Sequence, residues 1–288
     1  MKNLFTLLIT YLLLLSSCEE QMVVIPELTG SESNRKILIE EFTGANCSAC
    51  PQGAAAIKDL QSIYDKGVIS VAIHTYVSGS LGQPISGSKY DLRTNYGDDI
   101  ALYLGSLSSI PAAAIDRKLY DGQSGLPIAP FSAWSGIVNN EIEEAPELLI
   151  IDLKANFDPG TRMLNIKGNI LPNQAVEGDI RIVGYITESH IIDKQLNGTE
   201  VIDEYSHDHV LRDVLAYKNQ EPTIEGASLP TPIGIDEIIP FEFAPYTVPD
   251  EDGTWVAENC HVVVFIVRYD ADSGSRIVLQ ADEVDFTP

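Results

Sequence analysis

Two cysteines set three residues apart are the residues of this sequence best suited to chemistry. Cys47 and Cys50 lie in the stretch TGANCSACPQGAA, between an apolar run, KILIEEF, and a run with helical spacing, CPQGAAAIKDLQSIYDKG. A pair of this kind serves as half of a zinc site, as a structural disulfide or as a redox centre. Zinc needs about four ligands. A set completed by Cys260 and His261 would have to be assembled across two predicted domains.

The position of the pair favours the redox interpretation. We expect Cys47 to follow a strand and begin a helix, where unpaired backbone N–H groups would stabilise its thiolate and lower its pKa. Cys50, one turn later, would then resolve a mixed disulfide. A structural disulfide remains the alternative, although so short a loop removes little entropy from the unfolded chain.

The elements around the cysteines alternate between strand and helix over residues 36–145. VISVAIHTY has the pattern of a buried strand, GSKYDLRTNYGDDIALYLGS predicts one or two helices, and APFSAWSGIVNNEIEEA predicts another helix. SSIPAAAIDRKLYDGQ predicts a strand followed by a turn. Alternation of this kind is typical of an α/β domain.

Residues 146–288 have a different texture. ELLIIDLKANFDPGTRMLNIKGNILP predicts two strands around a turn, GDIRIVGYITESH another strand, and NCHVVVFIVRYDADSGSRIVLQADEVDF a long hairpin. The exception is HVLRDVLAYKN, whose apolar residues have helical spacing. We therefore predict an all-β sandwich, with a domain boundary near residue 146.

The N-terminus predicts export. Lys2 precedes a short apolar run that ends in Leu15-Ser16-Ser17, and this pattern indicates a signal peptide over residues 1–17. The cysteine that follows resembles that of a bacterial lipobox, which implies a lipid such as palmitate on Cys18 of the mature protein and membrane attachment through it. Residues 18–35 mix Pro, Gly, Ser and charge, so they predict a tether. The rest of the chain would lie outside the cytoplasm, where disulfides form.

Composition excludes some partners. The chain has 44% hydrophobic and 21% charged residues, which is typical of a folded protein, and its net charge is −24. A protein with this much negative charge would repel phosphate groups. We therefore expect no nucleic-acid partner and no direct contact with anionic lipid.

The remaining candidate ligands give no metal or cofactor site. His207 and His209 would share one face if YSHDHV is a strand, but no third ligand is clearly placed, so we interpret them as structural. His74 would end a strand near the cysteines. Cys260 precedes an apolar strand and is expected to be a buried thiol. We expect no metal and no cofactor.

The order of strand, C-S-A-C at a helix start, central strand and then SSIPAAAID resembles the thioredoxin fold. The resemblance implies a cis Ile110–Pro111 bond beside the cysteines, with Pro111 shaping the site and the Ile110 backbone available to a bound chain. Glu41 falls where thioredoxins carry a buried acid that moves a proton to or from the second cysteine. The alternative is an exposed carboxylate at the strand end, because Glu40 must point to the opposite face. The sequence departs from thioredoxins at Asn46, where they have an aromatic residue.

The lipobox, EFTGANCSACPQGAA, HDHVLR and RIVLQADEVDF together resemble the outer-membrane-protein-28-related lipoproteins. This resemblance implies an α/β plus all-β chain: a thioredoxin-like domain, then an immunoglobulin-like β-sandwich, on an outer-membrane anchor facing the periplasm or the cell surface. Two functions stay open. One is thiol–disulfide exchange with extracytoplasmic proteins, and the other is adhesion to surface ligands by a protein whose Cys47–Cys50 disulfide is structural. Enzymatic activity is therefore not decided by the sequence.

Overall fold

The computed structural model describes residues 35–249 and 255–286. Within these ranges the chain forms three α-helices and fourteen strands, so the fold is mostly β with some α. The predicted signal peptide, Cys18 and the tether up to residue 34 lie outside the described residues. Arg35, the last residue of the predicted tether, is buried and bonds to Asp116 at 2.6 Å, so it already belongs to the fold.

The helices are short and the strands reach eleven residues. The helices are α1 (Cys50–Tyr64), α2 (Asn95–Leu104) and α3 (Trp134–Glu144). The strands are β1 (Ile37–Thr43), β2 (Val68–His74), β3 (Ala112–Ile115), β4 (Leu149–Asp158), β5 (Met163–Pro172), β6 (Asp179–Glu188), β7 (Ile191–Asn197), β8 (Glu200–His207), β9 (Val210–Val214), β10 (Ala227–Ser228), β11 (Ile239–Glu242), β12 (Tyr246–Thr247), β13 (Cys260–Asp270) and β14 (Ser275–Asp285).

An eight-stranded sheet organises the molecule. Its order is β14-β13-β6-β9-β2-β1-β3, with β10 paired to β6. β1 and β2 are parallel, and every residue of both is buried, as expected for strands covered on two faces. β3 runs antiparallel on the other side of β1, so the cysteine loop that follows β1 lies between two neighbouring strands.

A second sheet covers one face of the first at its β6–β13 end. It consists of β4, β5, β11 and β12. Ile151 and Ile166 of this sheet share a buried cluster with Ile182 of β6 and Val264 of β13. The alternating burial of β4 is that of a strand with one face in such a core.

The large sheet runs across the predicted boundary near residue 146. β1, β2 and β3 precede that position, whereas β6, β9, β13 and β14 follow it, and all seven are hydrogen-bonded into one sheet. The reason lies in the run HVVVFIV of β13. Val262 and Val264 pack toward the second sheet, while Val263 and Phe265 join the core that contains the cysteines. A strand buried on both faces lies between two layers, so β13 contributes to both cores.

The predicted helix at HVLRDVLAYKN is wrong, because Val210–Val214 form strand β9. Its pairing with β6 shifts register between Ile186 and Thr187, with Leu211 opposite Thr187 and Asp213 opposite Ile186. The extra residue of this bulge is Arg212, and it resets the alternation of inward-facing side chains. Leu211 and Val214 are therefore both buried, although their spacing resembles that of a helix.

The other predicted elements are confirmed. The strands around the cysteines, the helix after them, the turn between β4 and β5 and the hairpin of β13 and β14 all occur as expected. Among the described residues, no helix is both long and apolar enough to cross a membrane.

Candidate functional site

Cys47 and Cys50 form a disulfide, with their Cα atoms 5.4 Å apart. The pair lies in the loop after β1, and helix α1 begins at Cys50. Cys47 therefore precedes the helix, whereas the sequence analysis expected it to begin one.

The amide groups at the start of α1 are largely used within the turn itself. Cys50 N donates to Cys47 O at 3.3 Å, and Gln52 N donates to Ala49 O at 3.2 Å. Pro51 has no N–H to offer. The expectation that unpaired amides of the first turn would stabilise a Cys47 thiolate is thus only weakly met, because few of them are left to point at the sulfur.

Both cysteines are buried, each with 2% of its surface exposed. The Sγ atom of Cys47 lies 3.6 Å from the carbonyl oxygen of Ile110, whose bond to Pro111 is cis as expected. Ile110 itself is 8% exposed. The cysteines, Ile110 and the residue before β3 therefore meet at one place, and little of that place is open to solvent.

Gly53 allows this close approach, and the sequence analysis did not identify it. A Cβ atom at position 53 would lie 2.8 Å from the Cβ of Pro111 and 2.9 Å from Oε1 of Glu41. Only a residue without a side chain leaves space for the first turn of α1 against these two groups. The glycine three residues after Cys50, inside an otherwise helical run, was the available sequence indication.

Glu41 is a buried acid, and the alternative of an exposed carboxylate is wrong. It is 3% exposed, and Oε1 has no hydrogen-bond partner among the described residues. Burial disfavours the charged form and raises the pKa of Glu41 to about 8. At neutral pH its carboxyl group is therefore mostly protonated, close to the start of α1.

Glu40 points to the opposite face of β1, as predicted, but it is also buried. Its two carboxylate oxygens accept hydrogen bonds of 2.8 Å from Arg117 Nε and Nη2. The Tyr185 hydroxyl group lies 2.7 Å from the same guanidinium group. The neighbouring acids thus differ: Glu40 has a fixed ionic partner, and Glu41 has none among residues 35–249 and 255–286.

A cavity of about 460 Å³ lies behind Cys50. Helix α1, strands β1 and β2, and the end of β8 surround it, and Glu41, His74 and His207 contribute to its wall. Glu41 of β1 pairs with Ala72 of β2, and Thr43 of β1 pairs with His74 of β2. Because Glu41 and Thr43 are two residues apart, Glu41 and His74 lie on the same face of the sheet.

His74 and His207, two of the three histidines that line this cavity, are uncharged at neutral pH. Burial, and next the neighbouring His207, lower the pKa of His74 to about 3, and burial also lowers the pKa of His207. Their rings meet edge to face with centroids 5.7 Å apart. His74 Nδ1 and His207 Nε2 have no hydrogen-bond partner among the described residues. Buried polar atoms of this kind normally bind water or a ligand.

His207 and His209 both line this cavity, but their rings make different contacts. His207 faces His74, whereas the ring of His209 lies 6.1 Å from that of His261. In the part of the chain that the structure describes, no group of three or more His, Cys, Asp or Glu side chains is arranged to hold a metal ion. Cys260 is a buried free thiol, as expected, and burial raises its pKa to about 12.

Comparison with known proteins identifies the family. The model of the outer membrane protein Omp28 family matches residues 103–285, close to two thirds of the chain. The chain belongs to this family. The part matched to the Omp28 family includes Pro111 and His207, but it begins after the cysteine pair and Glu41.

Two solved structures with TM-scores above 0.5 support the fold of this Omp28 family chain. HBP35 of Porphyromonas gingivalis is 17% identical, with a TM-score of 0.62 over 89% of this chain and 76% of the other. Protein AGR_C_4864 from Agrobacterium tumefaciens is 14% identical, with a TM-score of 0.51 over 88% and 95%. A domain of the outer membrane lipoprotein Omp28 from P. gingivalis is 18% identical, with a TM-score of 0.32 over 50% and 93%. No curated protein matches the chain.

Proposed function

We propose that this member of the Omp28 family is an outer-membrane lipoprotein that performs thiol–disulfide exchange outside the cytoplasm. Residues 36–145 would be its thioredoxin-like domain and residues 146–288 an immunoglobulin-like β-sandwich. Lipid on Cys18 would anchor the chain, and residues 19–34 would separate the anchor from the fold. Cys47 and Cys50 would carry the reaction.

The order of elements supports the thioredoxin-like assignment. Parallel strands β1 and β2 flank the cysteines and α1, and antiparallel β3, which follows Pro111, pairs with the other side of β1. The face-to-face packing of β4 and β5 on β6 and β13 supports the assignment of a β-sandwich. The sandwich differs from an isolated one because β6 and β13 belong to the large sheet.

The observation that carries the proposed function is the position of Glu41. Its buried carboxyl group lies against the first turn of α1, lacks an ionic partner, and shares a cavity with Cys50. A structural disulfide gains nothing from a buried, unpaired acid, which destabilises the fold at neutral pH. A redox pair gains a proton donor or acceptor from such an acid, because one sulfur must gain or lose a proton at each turnover.

The reaction follows from these positions. A thiolate of the partner attacks Cys47 Sγ, the Cys47–Cys50 bond breaks, and its electron pair moves to Cys50 Sγ. The neutral Glu41 supplies a proton to this sulfur across the cavity and is left as a carboxylate. A second partner thiolate then displaces Cys47 from the mixed disulfide, which oxidises the partner to a disulfide and leaves both cysteines reduced. The reverse sequence reduces a partner disulfide.

The reduction potential of the pair tests this function. Equilibration of the full mature chain with thiol–disulfide buffers should give a potential between about −270 and −120 mV, the range of exchange proteins. Cys50→Ala should trap partner proteins as mixed disulfides, and Cys47→Ser/Cys50→Ala, the matched control, should trap none.

The second candidate function is surface binding by a protein whose disulfide is structural. The burial of both sulfurs, each 2% exposed, is the observation that favours it. A potential below about −300 mV together with no trapped partner would support this candidate and contradict the first. The ligand would then be sought on the β-sandwich.

A further inference from the structure

Residues 189–209 leave the large sheet and return to it at the same point. Glu188, the last residue of β6, pairs directly with Val210, the first residue of β9. Antiparallel neighbours of this kind need only a two-residue turn to connect them. The chain instead makes an excursion that contains the two-stranded sheet of β7 and β8. We call residues 189–209 the hairpin excursion.

The hairpin excursion binds the backbone of the cysteine loop. Leu196 N donates to Ala45 O at 2.9 Å, and Gly198 N donates to Ser48 O at 2.9 Å. Leu196 belongs to β7 and Gly198 follows its last residue, so both donors lie at the turn end of that strand. The carbonyl groups of Ala45 and Ser48, one on each side of Cys47 in the loop, are thus already occupied from within the chain.

Gln195 reinforces this contact with its side chain. Its Nε2 atom donates to Cys47 O at 3.1 Å and lies 3.3 Å from Gly44 O. The side chain is buried, and the same Nε2 atom also donates to Leu196 O at 2.9 Å, so Gln195 joins the cysteine loop to the backbone of β7. A fourth contact joins Gln52 Nε2 to Asn197 Oδ1 at 3.0 Å.

The base of the hairpin excursion is fixed elsewhere. The buried carboxylate of Asp193 accepts hydrogen bonds from Lys89 N at 3.0 Å and Tyr90 N at 2.9 Å. His207, at the end of β8, packs edge to face against His74. In contrast, residues 200–204 of β8 are exposed. The excursion is therefore anchored at its base and bound to the cysteine loop near its turn.

These contacts have a consequence for access. A polypeptide that docks as an added strand needs free backbone groups on the segment that it joins, and in the cysteine loop the carbonyl groups of Ala45 and Ser48 are already bonded to Leu196 and Gly198. A small reductant needs no such pairing and has the cavity behind Cys50 as a route. We propose that the hairpin excursion is the element that determines which partners react with Cys47–Cys50, by excluding polypeptides that cannot displace β7. This proposal rests on the proposed thiol–disulfide exchange.

Removal of the excursion tests the proposal. In the full mature chain, residues 189–209 are replaced by an Asn-Gly turn, which suits the direct pairing of Glu188 with Val210. The rate of disulfide reduction is measured with a protein dithiol, reduced thioredoxin, and with a small phosphine. We expect the rate with thioredoxin to rise at least about tenfold, equivalent to about 1.4 kcal/mol, and the rate with the phosphine to change much less.

A point variant covers the case in which the shortened chain does not fold. Gln195→Leu approximately keeps the volume of the side chain and removes its hydrogen-bond donors. It should therefore also raise the rate at which thioredoxin reduces the disulfide. Gln220→Leu, the same substitution at an exposed position outside the hairpin excursion, is the matched control and should leave both rates unchanged.

Two outcomes would overturn the proposal, and only the second would also contradict the proposed thiol–disulfide exchange. If the thioredoxin rate is unchanged, or both reductants accelerate equally, the excursion does not select partners, and the exchange function stands. If the wild type and both variants resist both reductants, the disulfide is not a redox centre, and the proposed function fails as well.

Discussion

The Cα atom of Gly53 faces Pro111 so closely that a Cβ atom at position 53 would lie 2.8 Å from the Cβ of Pro111. Nonbonded carbon atoms are most stable about 3.5–4.0 Å apart. Helix α1 therefore reaches the segment before β3 only because residue 53 lacks a side chain. The same close approach brings the first turn of α1, which begins at Cys50, against the buried carboxyl group of Glu41.

The first prediction concerns this contact. Alanine normally stabilises a helix relative to glycine by up to about 1 kcal/mol, but Gly53→Ala should destabilise the protein by about 1–3 kcal/mol because α1 must move away. Chemical denaturation measures the difference. Gly136→Ala in α3 is the matched control, since nothing lies within 4 Å of its added Cβ atom, and it should stabilise. Equal effects at both positions would contradict the close approach.

The second prediction concerns Glu41 and pH. Its pKa is about 8 in the folded chain against an ordinary value of 4.5. Below pH 4.5 the group is neutral in both states and costs nothing. As pH rises toward 8, the unfolded chain ionises first, so wild-type stability falls by about 1.4 kcal/mol per pH unit on this account.

Glu41→Gln lacks this ionisation. The difference between its free energy of unfolding and that of the wild type should therefore increase, in favour of the variant, between pH 5 and pH 8. Denaturation at each pH measures this difference. Glu143→Gln, at an exposed position of α3, is the control for loss of one carboxylate. Parallel pH curves for wild type and Glu41→Gln would show that Glu41 is not the buried neutral acid described above.

The third prediction concerns the Glu40–Arg117 pair, whose side chains are both inaccessible to solvent. Arg117→Met leaves a buried carboxylate without its partner and should cost about 3–5 kcal/mol of unfolding free energy. Glu40→Gln/Arg117→Met should recover much of this loss, because no charge remains buried. Lys154→Met, which breaks a mostly exposed pair with Asp152, should cost less than about 1 kcal/mol. A double variant no more stable than Arg117→Met would argue against the ionic explanation.

The fourth prediction concerns acid. The pKa of His74 is about 3 in the folded chain against an ordinary 6.5. Above pH 6.5, His74 is neutral in both the folded and the unfolded chain. As pH falls from 6.5 toward 3, only the unfolded chain takes up a proton at His74, so the free energy of unfolding decreases. His74→Leu should therefore lose less stability than the wild type between pH 7 and pH 4. His190→Asn, at an exposed position, controls for removal of one histidine, and an unchanged acid slope in His74→Leu would contradict the burial argument.

Local patterns predicted most elements of the fold and the place of the cysteine pair. Strands such as VISVAIHTY and HVVVFIV were recognisable because continuous apolar runs bounded by turns reflect burial on both faces. The strand β9 was not, because the bulge at Arg212 shifts the alternation on which such a prediction depends. Glu41 was identified through family resemblance, while Gly53 and Gln195 were not identified at all.

The sequence by itself determined which residues are chemically able to react and which local structure each one favours, because these properties depend on residue type and near neighbours. Only the tertiary structure decided their environment. It joined strands from both halves into one sheet, paired Glu40 with Arg117 while leaving Glu41 neutral, and set β7 against the loop of Cys47. These outcomes depend on burial and hydrogen bonds between residues distant in the chain, and no local pattern encodes such contacts.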